Sequence, residues 1–148
     1  MSYANDALNE DALDAIDAAL VRSLDAKAGF EKMLEKAEPE FKPVAEKFFN
    51  LHASHASVLS EMVSSAGRQP DTDGSVMSKI NKGVVALRAF LDEIDEDVMD
   101  NVRSGEEHVC EAFNDALKQA PASSATHTDL ARMKGELDAL LAQTRHLD

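Results

Sequence analysis

Apolar residues recur every three or four positions along almost the whole chain, and no stretch keeps the strict alternation of a β-strand for long. This spacing is typical of amphipathic helices. It predicts helices over Leu8–Ala37, from Pro39 to near Gly67, over Ser75–Leu91, over Asp95–Gln119, and from Asp129 to the end of the chain. The sequence therefore predicts an all-α protein.

Prolines and glycines separate these helices from one another. The stretch AEPEF divides the first two, and Pro39 is expected to open the second helix, because a first-turn residue has no helical partner for its N–H. Gly67 is expected to end it. GRQPDTDGS follows as the strongest loop signal, and APASSATHTD is expected to form the last turn.

The lengths of the connections predict how the helices are joined. Short first and last connections, with a long middle one that holds its own short helix, describe two helical hairpins linked by a crossover. Ferritin-like four-helix bundles have this connectivity, so we expect one such domain over residues 1–148. An up-and-down bundle of five helices remains an alternative.

A short internal repeat supports the arrangement of two hairpins. FEKMLEKAEPE from Phe30 aligns with FNDALKQAPAS from Phe113, and each segment leads into a proline-containing turn. The first and third long helices are therefore expected to be equivalent members of the two hairpins.

Charge and cysteine content limit the partners and the compartment. Fifteen basic and 28 acidic residues give a formal net charge of -13, which repels nucleic-acid phosphates and anionic lipids. No apolar run approaches the ~18 residues of a membrane span, and the acidic N-terminal stretch lacks the pattern of a secretory signal. Cys110 is the only cysteine, so no intramolecular disulfide forms, and a cytoplasmic location is expected.

The stretch NLHASHAS carries the residues with the clearest chemical potential, His52 and His55, which lie one helical turn apart. At about 100° per residue, both fall within roughly 40° of Phe41, on the apolar face that also holds Phe48 and Leu59. We expect both imidazoles to point into the core near the middle of the second helix.

Carboxylates on the other helices decide whether these histidines could bind a metal. Ferritin-like di-metal sites use a Glu from each of two helices and a Glu-x-x-His from each of the other two. The third helix supplies Glu106, on the shoulder of its apolar face. On the first helix, the repeat places Ser23 at the position where a di-metal site would need a glutamate, and Lys27 nearby would repel a cation. The last helix has no Glu-x-x-His motif. A complete di-iron site is not expected.

Two interpretations of these residues remain open. In the first, His52, His55 and Glu106 bind a single Fe or Zn ion as a two-histidine, one-carboxylate site. Glu31 or Glu136 would then serve as a further ligand. In the second, the same three side chains bind no metal and form a buried polar cluster with Ser23 and Lys27 of the first helix, in which the polar groups satisfy one another.

Four stretches give the chain a resemblance to a known family: DAKAGFEKML from Asp25, FFNLHASHASVLSEM from Phe48, DGSVMSKINKGVVALRAFL from Asp73 and SGEEHVCEAFNDAL from Ser104. They resemble small bacterial ferritin-like bundles of unknown function, distantly related to rubrerythrin-type domains. With the turns, they cover most of the chain. The resemblance implies a ferritin-like fold with a degenerate metal site, and it implies no particular activity.

No conventional enzyme class is indicated, because the sequence has no Gly-rich phosphate loop, no Ser nucleophile motif and no Cys-x-x-Cys pair. Cys110 is interpreted as a small, partly buried core residue. The expected function is that of a non-enzymatic cytoplasmic bundle protein, acting as a homodimer or through a protein partner. The alternative is an iron- or zinc-binding protein for storage, sensing or oxidase-like chemistry.

Overall fold

Helices account for the regular secondary structure of residues 3–36, 39, 41–70 and 99–144, which are the residues that the computed structural model describes. A short 3-10 helix, Tyr3–Asp6, precedes α1 (Glu10–Lys36), α2 (Lys42–Ser65), α3 (Met99–Gln119) and α4 (Ala125–Gln143). No strand occurs among these residues, so the all-α prediction is confirmed. The predicted helix Ser75–Leu91 and the predicted helix start at Asp95 lie outside the described residues.

The first two helices meet at a proline-containing turn, but the prediction that Pro39 opens α2 is wrong. α2 begins at Lys42, with Pro43 in its first turn and the buried Phe41 at the N-cap. Pro43, and not Pro39, is the proline in the first turn of α2. A proline is tolerated there because amides in the first turn have no helical partner, so its missing N–H removes no hydrogen bond. Packing of Phe41 into the core fixes the point where the helix starts.

The predicted end of α2 near Gly67 is confirmed. The Gly67 amide donates to the carbonyl of Ser64 at 3.0 Å, and the Arg68 amide donates to that of Val63 at 3.2 Å. This pair of hydrogen bonds is the Schellman arrangement, which needs a left-handed residue just past the helix. Gly67 has a φ of 88° and supplies that conformation without a Cβ clash.

The last helix begins one turn earlier than predicted, at Ala125 instead of Asp129. The side chain of Ser124 accepts a hydrogen bond from the His127 amide at 3.0 Å. Serine is a favoured N-cap because its oxygen satisfies an amide that the helix leaves unpaired. The run of Ser and Thr that suggested a loop in the sequence therefore contains the cap and the first turn of α4.

The 3-10 helix ties the start of the chain to α4. Asp6 accepts hydrogen bonds from the amides of Ala125 and Thr126, at 3.2 and 2.8 Å, and from the Thr126 hydroxyl at 2.5 Å. Burial acts to raise the pKa of Asp6, but these hydrogen bonds outweigh it and lower the pKa. The hydroxyl of Tyr3 donates to Asp129 in the same region.

Contacts at two levels show that α1 and α2 are antiparallel. The ring of Phe30, late in α1, stacks on Phe48, early in α2, at a centroid distance of 4.9 Å. Arg68, just beyond α2, forms ion pairs with Asp14 and Asp17 near the start of α1, at 2.8 and 3.2 Å. The short turn between the helices agrees with this direction.

Two contacts show that α2 and α3 run parallel. His52 on α2 contacts Glu106 on α3. Further along α2, His55 contacts the ring of Phe113, which lies further along α3, at a centroid distance of 5.8 Å. The contacts advance toward the C-terminus of both helices, so the two helices point in the same direction.

The four helices enclose a common core. α1 and α4 each pack against both α2 and α3, so the parallel pair occupies one diagonal of the bundle. Among the largest fully buried side chains are Ile16, Leu20, Phe48, Leu59, Phe113, Leu130 and Leu137. Within the described part of the chain, no helix is long and apolar enough to cross a membrane.

Candidate functional site

The two histidines lie where the sequence places them, in the core at the middle of α2. His52 is fully buried and His55 is 1% exposed. The ring of His52 stacks on Phe30 at a centroid distance of 5.8 Å, and Phe113 meets the ring of His55 edge-on. Aromatic side chains from α1 and α3 therefore hold both imidazoles in fixed orientations.

His52 forms a buried pair with Glu106. Its Nε2 lies 2.6 Å from Oε1 of Glu106, which is 2% exposed. A carboxylate has no donor, so the imidazole N–H donates and the glutamate oxygen accepts. This bond joins α2 to α3 across the diagonal of the bundle. Of the three main predicted site residues, His52, His55 and Glu106, these two are hydrogen-bonded to each other.

His55 pairs with a different carboxylate, on α4. Its Nε2 lies 2.9 Å from Oε1 of Glu136, and the side chain of Glu136 is 44% exposed. Oε2 of Glu136 also accepts a hydrogen bond from Arg132 at 3.1 Å. The residue that was predicted only as an additional ligand is therefore the direct partner of the second histidine.

The environment shifts the pKa values of this second pair. Burial lowers the pKa of His55, and this outweighs the opposing effect of the hydrogen bond to Glu136. The hydrogen bond from His55, with the nearby guanidinium of Arg132, lowers the pKa of Glu136 against a smaller opposing effect of burial. Both shifts favour a neutral imidazole beside an ionised carboxylate near neutral pH.

Among the described residues, four buried polar atoms at this level of the core have no hydrogen-bond partner: Nδ1 of His52, Nδ1 of His55, Oε2 of Glu106 and Oγ of Ser23. The prediction that Ser23 and the histidines satisfy one another is therefore wrong for Ser23 within this part of the chain. Ser23 is fully buried on α1, as the internal repeat predicts. An unpaired buried polar group costs roughly 1–3 kcal/mol. Such atoms mark the part of the core where a polar ligand would gain most from binding.

The described side chains fit a metal site poorly. Among them, no group of three or more His, Cys, Asp or Glu residues is arranged to hold a metal ion. The two histidines direct Nε2 toward two separate carboxylates, Glu106 and Glu136, instead of toward one point. Glu31 is exposed on α1 and is not a hydrogen-bond partner of either histidine. The two-histidine, one-carboxylate site stays a prediction.

Cys110 lies beside α4 and is not an activated thiol. Its Sγ is 3.8 Å from Oδ1 of Asp138. Burial and the nearby carboxylates of Asp138 and Glu106 raise the pKa of the thiol to about 11. A thiol that stays protonated at neutral pH is a weak nucleophile and a weak metal ligand.

Comparison with known proteins gives one result. A family model described as a domain of unknown function (DUF2383) matches residues 11–119. The match includes most of α1, all of α2 and α3, and therefore His52, His55 and Glu106. Glu136 on α4 lies beyond it. No curated protein and no solved structure matches the chain.

Proposed function

The chain belongs to this family of domains of unknown function, and we propose from its own geometry that it is a non-enzymatic, ferritin-like bundle protein. In this proposal the histidines and glutamates of the core hold helices together instead of holding a metal. The protein acts in the cytoplasm, as a homodimer or through a protein partner. The observation that carries the proposal is the separate pairing of each histidine with its own glutamate.

The two pairs suit a structural role because they connect three helices at one level. His52 reaches Glu106 on α3, and His55 reaches Glu136 on α4. A polar pair inside an apolar core disfavours a helix that slips along its axis, since slippage would leave buried polar atoms unpaired. The pairs would therefore fix the register of α3 and α4 relative to α2.

The ferritin-like relation is supported by the direction of the helices. Parallel α2 and α3 require a long crossover between two antiparallel hairpins, which ferritin-like bundles also have. We include in the proposal a short helix over Ser75–Leu91 in that crossover. Ser23 would then stand at the place of a lost metal-binding glutamate, as the resemblance of the sequence implies.

A second candidate function is binding of a single Fe or Zn ion, which the unpaired core atoms favour. Nδ1 of each histidine and Oε2 of Glu106 are buried and have no hydrogen-bond partner in the part of the chain that the structure describes. His52 and Glu106 would hold the ion, with His55 as a further ligand. A bound metal ion would supply Lewis-acid chemistry, or redox chemistry in the case of iron.

Metal content separates the two functions. Untagged protein would be incubated with Fe(II) or with Zn(II), desalted, and analysed by mass spectrometry for metal per chain. The variants would be His52→Ala and, as a matched control, His108→Ala, because His108 is exposed on α3. The structural proposal predicts little retained metal in every sample, and the same melting temperature with and without EDTA.

One result would support the second candidate instead: near-stoichiometric metal that is lost in His52→Ala and kept in His108→Ala. The oligomeric state has its own test, because light scattering on the wild type gives the mass of the particle in solution. A homodimer predicts twice the chain mass of 16.0 kDa. A monomer at all concentrations would leave binding of a different protein as the route of action.

A further inference from the structure

Residues 3–9, which precede α1, form a strap that reaches across the end of the bundle to α4. α1 and α4 each pack against α2 and α3, so they lie on opposite sides of that parallel pair. The strap nevertheless contacts α4 at two places, through Tyr3 and through Asp6. It therefore ties the start of α4 to the helix on the opposite side of the bundle.

Asp6 binds the first turn of α4. Its carboxylate accepts hydrogen bonds from the amides of Ala125 and Thr126 and from the Thr126 hydroxyl. Amides in the first turn of a helix have no partner within the helix, and a negative charge is favourable at that end. Thr126 is fully buried. Loss of Asp6 would therefore leave its hydroxyl and amide without this acceptor at a place that water hardly reaches, which is costly.

Tyr3 attaches the strap one turn further along α4. Its ring is 8% exposed and belongs to the hydrophobic core, and its hydroxyl donates to Asp129. Burial of the ring and the hydrogen bond act together, so the strap is held by apolar packing as well as by polar contacts. The two attachments cover the first two turns of α4.

A continuous row of polar contacts along α4 links the strap to His55. The hydroxyl of Tyr3 donates to Oδ2 of Asp129, whose Oδ1 lies 3.7 Å from Nε of Arg132. Nη1 of Arg132 donates to Oε2 of Glu136 at 3.1 Å, and Oε1 of Glu136 lies 2.9 Å from Nε2 of His55. Each carboxylate in this row uses one oxygen toward the strap and the other toward the histidine. A movement of the first turns of α4 would therefore reach the pair of Glu136 and His55.

The strap is joined to α1 through a residue in an unfavourable conformation. Ala7 has a φ of 52°, in the left-handed region that a Cβ disfavours. Two residues later, the side-chain oxygen of Asn9 accepts from the Ala12 amide at 2.8 Å and caps α1. Backbone strain of this kind persists only where surrounding contacts enforce it. Here those contacts are the ones that Tyr3 and Asp6 make with α4, so release of the strap would relieve the strain.

We propose that the strap is a releasable lock on α4 that controls access to His55. While it is docked, it holds the first turns of α4 in place and, through the row of polar contacts, keeps Glu136 on His55. When it is released, α4 loosens from its first turn and His55 becomes accessible to solvent. The far end of α4 stays attached, because Arg103 of α3 donates to the carbonyl of Thr144. The effect on His55 rests on the proposed function, in which Glu136 holds this histidine.

Hydrogen exchange of the full chain, read by mass spectrometry, tests the lock. In Asp6→Ala, the amides of residues 125–133 are expected to exchange roughly tenfold faster than in the wild type, while those in the middle of α2 stay unchanged. Ala7→Gly is expected to slow the same amides, because glycine adopts the left-handed conformation without strain. Asp11→Ala, at an exposed acidic position of α1, is the matched control and should leave α4 unchanged. Equal exchange in all four proteins, or a rise spread evenly over α1, α2 and α4, would overturn the proposal.

Chemical modification of the histidines tests whether the lock controls access to His55. Diethyl pyrocarbonate acylates accessible neutral imidazoles, and tandem mass spectrometry locates the product. His55 is expected to react roughly tenfold faster in Asp6→Ala than in the wild type, while the exposed His108 reacts equally in both. Faster exchange of α4 with unchanged reactivity of His55 would contradict the control of access. Glu136→Ala tests the proposed function separately: if His55 reacts no faster in that variant, the pairing in the proposed function is wrong, whatever exchange shows for the strap.

Discussion

The two histidine–glutamate pairs use the same residue types, and their histidines lie one turn apart on α2, yet the pairs lie in different environments. Glu106 is 2% exposed, whereas the side chain of Glu136 is 44% exposed and also binds Arg132. Coulombic attraction and hydrogen bonding are stronger where water is excluded, and so is the penalty for losing a partner. Both histidines are buried, so the exposure of the carboxylate should decide how much each pair contributes to the free energy of unfolding.

The largest effect is expected from Glu106→Ala. The substitution leaves the buried Nε2 of His52 without an acceptor, so the free energy of unfolding should fall by about 3 kcal/mol. Chemical denaturation measures it, and Glu107→Ala, the exposed neighbour, is the control and should change little. Coupling to His52→Ala in a double-mutant cycle should be large. Additive effects of the two substitutions would contradict a specific pair.

Glu136→Ala is expected to cost less, about 1 kcal/mol, because water can replace the lost carboxylate at this half-exposed position. The same denaturation measurement applies, carried out at low and high salt. The effect should shrink at high salt, whereas that of Glu106→Ala should not. Equal costs and equal salt dependence for the two substitutions would show that exposure does not distinguish the pairs.

Acid should weaken the second pair through His55. Its pKa is lower in the folded protein than in the unfolded chain, so the unfolded chain binds the proton more readily. The resulting stability is present above the unfolded value of about 6.5 and is lost as the pH falls below it. The free energy of unfolding, measured from pH 8 to pH 5, should therefore decline.

The variant His55→Gln isolates this contribution, since glutamine can still donate to Glu136 and has no proton to gain. The decline between pH 7 and pH 5 should become shallower than in the wild type. The lowered pKa of Glu136 also removes stability on acidification, but below its unfolded value of about 4.3. An unchanged pH profile in His55→Gln would exclude His55 as the source.

The smallest effect is expected from Arg132→Ala. Arg132 and Glu136 form an exposed ion pair four residues apart on α4, at 3.1 Å. Such pairs contribute about 0.3–0.5 kcal/mol. Thermal denaturation should show a small decrease in melting temperature that disappears at high salt. A loss as large as that of Glu136→Ala would mean that Arg132 holds the carboxylate against His55.

Much of the site could be predicted from the sequence. The helical period places His52, His55 and Glu106 on apolar faces, and all three are buried. The repeat predicts a buried Ser23 on α1, which is confirmed. These predictions succeed because the direction of a side chain on a regular helix depends only on its position in the period.

The helical period could not predict which glutamate pairs with which histidine. The period places Glu136 at the edge of an apolar face, but it does not tell which histidine that edge meets. Rotation and axial shift of α4 decide this, and both depend on the packing of distant side chains. The start of α4 at Ala125 was not predicted for a related reason, since Asp6, far away in the chain, accepts from amides of the first turn and so completes the cap formed by Ser124.

The sequence by itself determined the helices, their buried faces and the chemistry available in the core, because these follow from local periodicity and residue type. The tertiary structure alone decided that each histidine meets a different carboxylate, one buried and one half-exposed. It also decided that α2 and α3 are parallel. Such features depend on how helices lie against one another, and no local pattern encodes a distance between residues on different helices.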